Sequence, residues 1–101
     1  MAPDVFISYS SQDSDAAQTV CKAIELAGMP CWIAPRDISP GREWSGEIID
    51  ALNACRAMVL IFSSHSNDSP QVIREVERGV NKRVPILVFR LEETPLSKAM
   101  E

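Results

Sequence analysis

The run Ala57-Met58-Val59-Leu60-Ile61-Phe62 is apolar without a break, and this stretch decides the fold. A strand that is exposed on one face alternates apolar and polar side chains, whereas a strand of a parallel sheet is covered on both faces and does not. The run therefore predicts a central strand of a parallel sheet. It is far shorter than the roughly 20 apolar residues that a membrane-spanning helix requires.

Shorter apolar runs on either side of this strand, at 5–7, 30–33 and 84–89, predict three further strands. The segments between them have apolar residues at helical spacing, which indicates amphipathic helices. Strands that alternate with helices form right-handed βαβ units, so we expect an α/β fold with a parallel sheet of four visible strands.

Loops that follow the strands are the candidate functional segments, because ligands bind such sheets beyond the carboxyl ends of the strands. These loops span 9–13, 34–43 and 63–69. The helix after the last of them is predicted to start at Ser69-Pro70, since serine can cap a helix and proline is tolerated at its first position.

The composition indicates a single globular domain. With 101 residues, 46% of them hydrophobic, the chain can bury one core and is too short for two. A net charge of -4 without a Lys/Arg stripe argues against nucleic acid as a partner. The N-terminal residues lack the pattern of a signal peptide, so we expect a soluble cytoplasmic protein without a membrane segment.

Three cysteines, Cys21, Cys31 and Cys55, occur without a Cys-x-x-Cys pair. An odd number at irregular spacing predicts neither a disulfide framework nor a zinc site. We therefore expect reduced, buried thiols and no bound metal.

Several common kinds of active site are not indicated. The chain lacks the glycine-rich fingerprints of Rossmann and P-loop nucleotide sites. His65 is too close in sequence to neighbouring serines for triad geometry, and we expect it to be an exposed loop residue. Asp4, Asp13 and Asp37 could form an acidic phosphoacceptor pocket, but Asp4 precedes its strand and no aspartate directly follows the central one.

The segment 35–44 cannot be regular, because it contains two prolines and a glycine. Its Pro40-Gly41 pair fits the centre of a type II turn. Trp32 and Trp44 bracket the segment, and both rings are expected to anchor it by being buried.

Two charged residues have alternative interpretations. Arg36 either braces the loop together with Asp37 or faces a phosphate or a partner carboxylate. For Glu75, residue type alone favours a surface glutamate that pairs with Arg78. The helix N-terminus beneath it nevertheless suits anionic ligands. The same helix is predicted to bury Val72, Ile73, Val76 and Val80.

Three ordered motifs resemble the Toll/interleukin-1 receptor (TIR) domain family, in the style common among its prokaryotic members. Residues 4–10, Asp-Val-Phe-Ile-Ser-Tyr-Ser, followed by Asp13, resemble its opening box. Residues 32–44, Trp-Ile-Ala-Pro-Arg-Asp-Ile-Ser-Pro-Gly-Arg-Glu-Trp, resemble its second box, the BB loop. The segment 69–76 keeps the family's order and spacing, so the resemblance covers nearly the whole chain.

This resemblance implies a flavodoxin-like three-layer domain and, in many members, cleavage of NAD at the nicotinamide-ribose bond by hydrolysis or cyclisation. It places the catalytic glutamate at Glu75, with NAD as substrate and no cofactor. The candidate substrate-binding residues are Tyr9, Ser10, Ser11, Arg36, Ser63 and Gln71. The candidate self-association residues of the BB loop are Pro35, Arg36, Asp37, Ile38, Pro40, Gly41 and Trp44.

The implied partners are NAD, other TIR domains in a homo-oligomer or filament, and a sensor domain in the full-length chain. Two departures from the family pattern accompany them. Gln71 stands where catalytic members often have tryptophan, which favours the alternative of a noncatalytic TIR-TIR adaptor. The family's fifth strand and closing helix are missing, so residues 1–101 are expected to be one TIR domain, truncated within a helix that begins near 95.

Overall fold

The computed structural model describes residues 4–39, 41 and 43–91. Within these residues lie four strands: β1 (Val5–Ser8), β2 (Cys31–Trp32), β3 (Ala57–Phe62) and β4 (Ile86–Arg90). All pairs are parallel and the spatial order is β2-β1-β3-β4. The apolar run that predicts a central strand is β3, which pairs with β1 on one side and β4 on the other. The α/β, flavodoxin-like fold is confirmed.

Four α-helices connect the strands that the structure describes: α1 (Ser14–Leu26), α2 (Trp44–Ala54), α3 (Ser64–Asn67) and α4 (Pro70–Asn81), with a 3₁₀ turn at Ser11–Asp13. The predicted start of α4 is confirmed: the Val72 N–H donates to the Ser69 hydroxyl at 3.3 Å, and Pro70 takes the first helical position. None of these helices is long and apolar enough to span a membrane.

The sheet separates two cores, because successive side chains of a strand point to opposite faces. One face packs against α1, and its buried members are Val5, Ile7, Ala17, Cys21, Cys31, Ile33, Val59 and Ile61. The other face packs against α2 and α4, with Phe6, Trp32, Ile48, Ala51, Leu52, Met58, Leu60, Phe62, Val72 and Val76. Helices therefore cover both sides of the sheet, and the domain has three layers.

The buried face of α4 is rotated from the predicted one. Its buried residues are Val72, Glu75, Val76 and Gly79, whereas Ile73 is half-buried and Val80 is 58% exposed. The observed positions follow the spacing i, i+3, i+4 and i+7 of a helix that lies on a sheet. The prediction was wrong at Val80 because it followed apolar character alone and could not foresee a buried glutamate.

Three further details differ from the sequence predictions. Segment 63–69 contains the short helix α3, since the Ser63 side chain accepts from the backbone N–H of His65 and Ser66 and so caps a turn. β2 is two residues long, not four. Trp44 is 54% exposed, so of the two tryptophans only Trp32 is buried as predicted.

Two predicted features fall outside the residues that the structure describes. One is the helix near 95–101, and the other is the Pro40 half of the Pro40-Gly41 turn. The described half is consistent with a turn, because Gly41 has a φ of +80°, a conformation that favours glycine.

The packing of α4 on the sheet depends on Gly79. A β-carbon there would lie 3.0 Å from Met58 Cε and 3.5 Å from Ile86 Cδ1. We expect Gly79→Leu to lower the free energy of unfolding by about 1–3 kcal/mol, as overpacking usually does. The measurement is urea denaturation.

The matched control is Gly46→Ala in α2, where an added β-carbon meets nothing within 4 Å. This change should leave stability unchanged or raise it by up to about 1 kcal/mol, because alanine favours the helix over glycine. Equal unfolding midpoints for the two variants would contradict the close approach of α4 to β3 and β4.

Candidate functional site

A cleft of about 380 Å³ opens beyond the carboxyl end of β1. The strand order reverses here, because β1 has β2 on one side and β3 on the other, and such points form crevices at the edge of a parallel sheet. We call it the strand-end cleft. Its lining includes Tyr9, Ser10, Ser11, Pro35, Trp44, Gln71 and Glu75.

Glu75 is a buried acid in the wall of this cleft, with 6% of its surface exposed. The Ser8 hydroxyl donates to its Oε1 at 2.7 Å, and the Gln71 side-chain amide donates to its Oε2 at 3.3 Å. Burial raises the pKa of Glu75, while the two hydrogen bonds act in the opposite direction. The carboxyl group is therefore fixed in position and favours its neutral form more than an exposed glutamate does.

The local sequence explains why Glu75 is inside. It lies between Val72 and Val76 on the face of α4 that packs against the sheet, so the apolar residues carry it inward. It then meets Ser8, the fully buried last residue of β1. The surface pairing with Arg78 was the wrong alternative, because the acceptors of Glu75 are used by Ser8 and Gln71.

Ser8 is a residue of the candidate site that the sequence predictions did not include. Its signal is a hydroxyl at the end of the otherwise apolar strand Val5–Ser8. A buried hydroxyl needs a hydrogen-bond partner, so it predicts a polar group from another element nearby. The sequence alone does not say that this group is Glu75, which is 67 positions away.

The three predicted substrate-binding residues after β1 lie together in the strand-end cleft. The Tyr9 hydroxyl donates to the carbonyl oxygen of Ala34 and ties the first loop to the second. Burial raises the pKa of Tyr9, so the phenol keeps its proton at neutral pH. Ser10 caps the 3₁₀ turn, because its hydroxyl accepts from the Gln12 N–H at 3.4 Å, and Ser11 begins that turn at the surface.

A second cleft of about 220 Å³ adjoins the first between α2 and α4. We call it the outer cleft; it shares Trp44, Gln71 and Glu75 with the strand-end cleft. Arg74 and Arg78 also line it, and the positive charge of Arg74 acts to lower the pKa of Glu75. Glu75 thus stands in the wall common to both spaces.

Arg36 lies outside the lining of both clefts and braces the loop, as one of its two interpretations predicts. Its guanidinium donates to the two carboxylate oxygens of Glu25 at 2.9 and 2.8 Å, to Asp37 at 2.8 Å and to the Cys31 carbonyl at 2.9 Å. Asp37 in turn accepts from the Ile33 N–H at 2.9 Å. The hydrogen bond from Arg36 lowers the pKa of Glu25, which favours the ion pair.

The other predicted loop residues are placed differently from one another. Ile38 packs against the core between the sheet and helices α2 and α4, whereas Pro35 and Trp44 line the strand-end cleft. Gly41 lies in the exposed part of the loop, and Pro40 is outside the described residues. The loop 35–44 therefore has a fixed base and an exposed outer portion.

Ser63 does not line either cleft. Its hydroxyl donates to Asp13 and caps α3. The three aspartates considered as a phosphoacceptor pocket have different partners. Asp4 Oδ1 lies 3.9 Å from Arg56 Nε. Asp13 accepts a hydrogen bond from Ser63, and Asp37 accepts one from Arg36. His65 is exposed, as predicted, but it lies in the helix α3 and not in a loop.

Comparison with known proteins identifies the family and gives relatives of similar sequence and similar fold. The sequence matches the TIR domain family over residues 5–100. It is 34% identical over 65 residues to the stimulator of interferon genes protein of Magallana gigas, a match that covers 63% of this chain and 16% of that protein.

Two solved structures share the fold. The TIR domain of the Toll-related receptor TRR-2 from Hydra magnipapillata has a TM-score of 0.86 at 19% identity, covering 96% of this chain and 77% of that one. A metazoan TIR-STING receptor from C. gigas has a TM-score of 0.80 at 24% identity, covering 97% of this chain and 35% of that one.

The buried carboxyl group should make stability depend on pH. Because the pKa of Glu75 is raised above its ordinary value of 4.5, the folded chain keeps a proton that the unfolded chain loses, and stability falls as pH rises from 4.5 through the folded pKa. Glu75→Gln, which is always neutral, should therefore raise the free energy of unfolding at neutral pH and have a much smaller effect below pH 4.5.

Urea denaturation at the two pH values checks this expectation. Glu77→Gln is the control, because Glu77 is an exposed glutamate on the same helix. A Glu75→Gln effect that is equal at both pH values, or that matches the control, would show that burial does not perturb this carboxyl group.

Proposed function

This chain belongs to the TIR domain family, and on that premise we propose that it cleaves NAD at the nicotinamide-ribose bond when copies assemble through the loop 35–44. The observation that supports the proposal most strongly is Glu75, whose carboxyl group is buried, hydrogen-bonded at both oxygens and placed in the wall shared by two clefts. Buried acids with raised pKa values are frequent in active sites.

The reaction is one that a single carboxylate can support. The nicotinamide of NAD is a cationic pyridinium that leaves as a neutral molecule, so it does not need the general acid that ordinary glycosides require. Positive charge develops at the anomeric carbon as the bond breaks, and an ionised Glu75 would stabilise it. Water or a group of the same nucleotide then forms the new bond, which gives hydrolysis or cyclisation.

The surroundings of Glu75 suit this role. A cationic ligand near the buried carboxyl group lowers its pKa, so binding of the pyridinium favours the ionised form at the moment when it is needed. Ser8 and Gln71 hold the two oxygens and limit the reorganisation that catalysis would otherwise require. The strand-end cleft, at about 380 Å³, lies in the usual size range of small-molecule sites.

Assembly would complete the site. Trp44 is 54% exposed and lines both clefts, and Pro35 of the same loop lines the strand-end cleft. A second copy packed on this loop would cover the tryptophan and exclude water, which strengthens the electrostatic effect of Glu75. Isolated copies are accordingly expected to be weakly active.

The enzymatic proposal predicts that clustered protein releases nicotinamide from NAD and that Glu75→Gln abolishes the release. Glu75→Gln keeps the shape of the side chain but removes the charge that would stabilise the transition state. Glu77→Gln is the matched control and should retain wild-type activity, since Glu77 is exposed and lines neither cleft. Nicotinamide is measured by chromatography, and equal release by the wild type and Glu75→Gln would overturn the proposal.

A noncatalytic adaptor is the second candidate function, and Gln71 favours it because catalytic members often have tryptophan there. In this case the loop 35–44 would mediate contacts while NAD stays intact. Gly41→Val should weaken self-association under either function, because a β-branched residue is strained at a φ of +80°.

Light scattering and NAD consumption, measured on the same samples, separate the two functions. The enzymatic function predicts that Gly41→Val loses both assembly and NAD cleavage, while Gly46→Ala, outside the loop, keeps both. Assembly of the wild type without any loss of NAD would instead establish the adaptor.

A further inference from the structure

Cys21, Glu25 and Cys31 meet on the side of the sheet opposite Glu75. The two Sγ atoms and a carboxylate oxygen of Glu25 all lie within 4.8 Å of one another. Cys21 and Glu25 are one turn apart on α1, and Cys31 is the first residue of β2, so two packed elements form the cluster. Both cysteines are buried, with 1% and 7% of their surface exposed, while the Glu25 side chain is 34% exposed and reachable from solvent.

From these positions we propose that Cys21, Cys31 and Glu25 form a binding site for a thiophilic divalent cation such as Zn²⁺. Thiolates and carboxylates are both zinc ligands, and with three protein ligands a fourth position would remain for water. Thiolates bound at about 2.3 Å to one zinc ion are a little less than 4 Å apart, so the ligand atoms need to move by about 1 Å at most.

Arg36 supplies the charge that such a site requires. Two thiolates and a carboxylate carry three negative charges, whereas a divalent cation carries two positive charges. One negative charge therefore remains to be balanced. The guanidinium now contacts both Glu25 oxygens, at 2.9 and 2.8 Å, and also the Cys31 carbonyl. When one Glu25 oxygen turns to the metal, the other stays with Arg36, so the arginine acts as an outer partner that orients the ligand.

The protons are accounted for in the same step. Burial raises the pKa of Cys21 and raises that of Cys31 to about 12, so both thiols are protonated at neutral pH. Binding replaces the two thiol protons, which pass to solvent, and two metal-sulfur bonds form. The sulfurs are not oxidised, and no redox partner is required.

The site also has a structural consequence for the loop 35–44. Arg36 joins Glu25 of α1 to Asp37 of the loop. Its Nη2 lies 2.8 Å from Glu25 Oε2 and 2.8 Å from Asp37 Oδ2. Metal binding would change the contact between Arg36 and Glu25 from two hydrogen bonds to one. The cation site is therefore connected to the base of the loop without touching Glu75.

The test uses Cd²⁺ as a spectroscopic probe and Zn²⁺ as a competitor, with the protein stripped of metal and kept reduced by a phosphine. The proposal predicts a cadmium-thiolate absorption band that saturates at a single ion per chain and is displaced by Zn²⁺. Cys55→Ser should keep the band, because Cys55 lies outside the cluster, and Cys31→Ser should lose it.

Glu25→Gln covers the possibility that a change at a buried cysteine disturbs folding, since Glu25 is partly exposed and the neutral amide is a poor metal ligand. We expect it to weaken Cd²⁺ binding by at least about tenfold while circular dichroism stays unchanged. No saturable band in the wild type would overturn the proposal, as would equal binding by the wild type, Cys31→Ser and Glu25→Gln.

Discussion

The hydrogen bond from the Ser8 hydroxyl to the Glu75 carboxyl group joins the end of β1 to α4 across 67 positions of sequence. A buried carboxyl group is costly unless its oxygens have partners, and here Ser8 and Gln71 supply them. The contact ties α4 to the end of β1 and holds the acid at the wall of the cleft. The position of the proposed catalytic acid depends on this pairing.

The same pairing holds the carboxyl group through neutral partners. Neither Ser8 nor Gln71 carries a charge, so the site holds the carboxyl group in place without neutralising it by an ion pair. Burial raises the pKa of Glu75, and the two hydrogen bonds act in the opposite direction. In the proposed function, a cation that enters the strand-end cleft would add to the effect of Arg74 and further favour the ionised form of Glu75.

The sequence predicts the architecture well, because the apolar character of β3 and the alternation of strands with helices are local signals. It also predicts which loop segments lie at the strand ends, and the structure brings Tyr9, Ser10, Gln71 and Glu75 together there. The catalytic role of Glu75 is predicted by the family resemblance and not by residue type. The catalytic and binding roles of these residues remain predictions.

Features that depend on non-local packing could not be predicted. The burial of Glu75 requires the rotation of α4 and a hydroxyl from β1, neither of which periodicity reveals. Trp44 has the large aromatic side chain typical of a core residue. It is nevertheless 54% exposed, at the start of α2, where it lines both clefts. The proximity of Cys21 and Cys31 follows from the packing of α1 on β2, whereas their spacing in the sequence matches no metal-binding motif.

The loop 35–44 combines an anchored base with an exposed outer part. Arg36 and Asp37 hold the base to α1 and to the Ile33 backbone, while Trp44 stands at the rim of both clefts. In the proposed function, a contact made on this loop would cover Trp44, which lines both clefts beside Glu75. This arrangement connects assembly with chemistry in the proposed function.

The most direct measurement is the rate of nicotinamide release per chain as the protein concentration is raised from dilute to self-associating, with assembly followed in parallel by light scattering. If Glu75 acts in a site that assembly completes, the rate per chain rises steeply as assembly begins. A rate per chain that stays constant through assembly, or the absence of release from assembled protein, would contradict it.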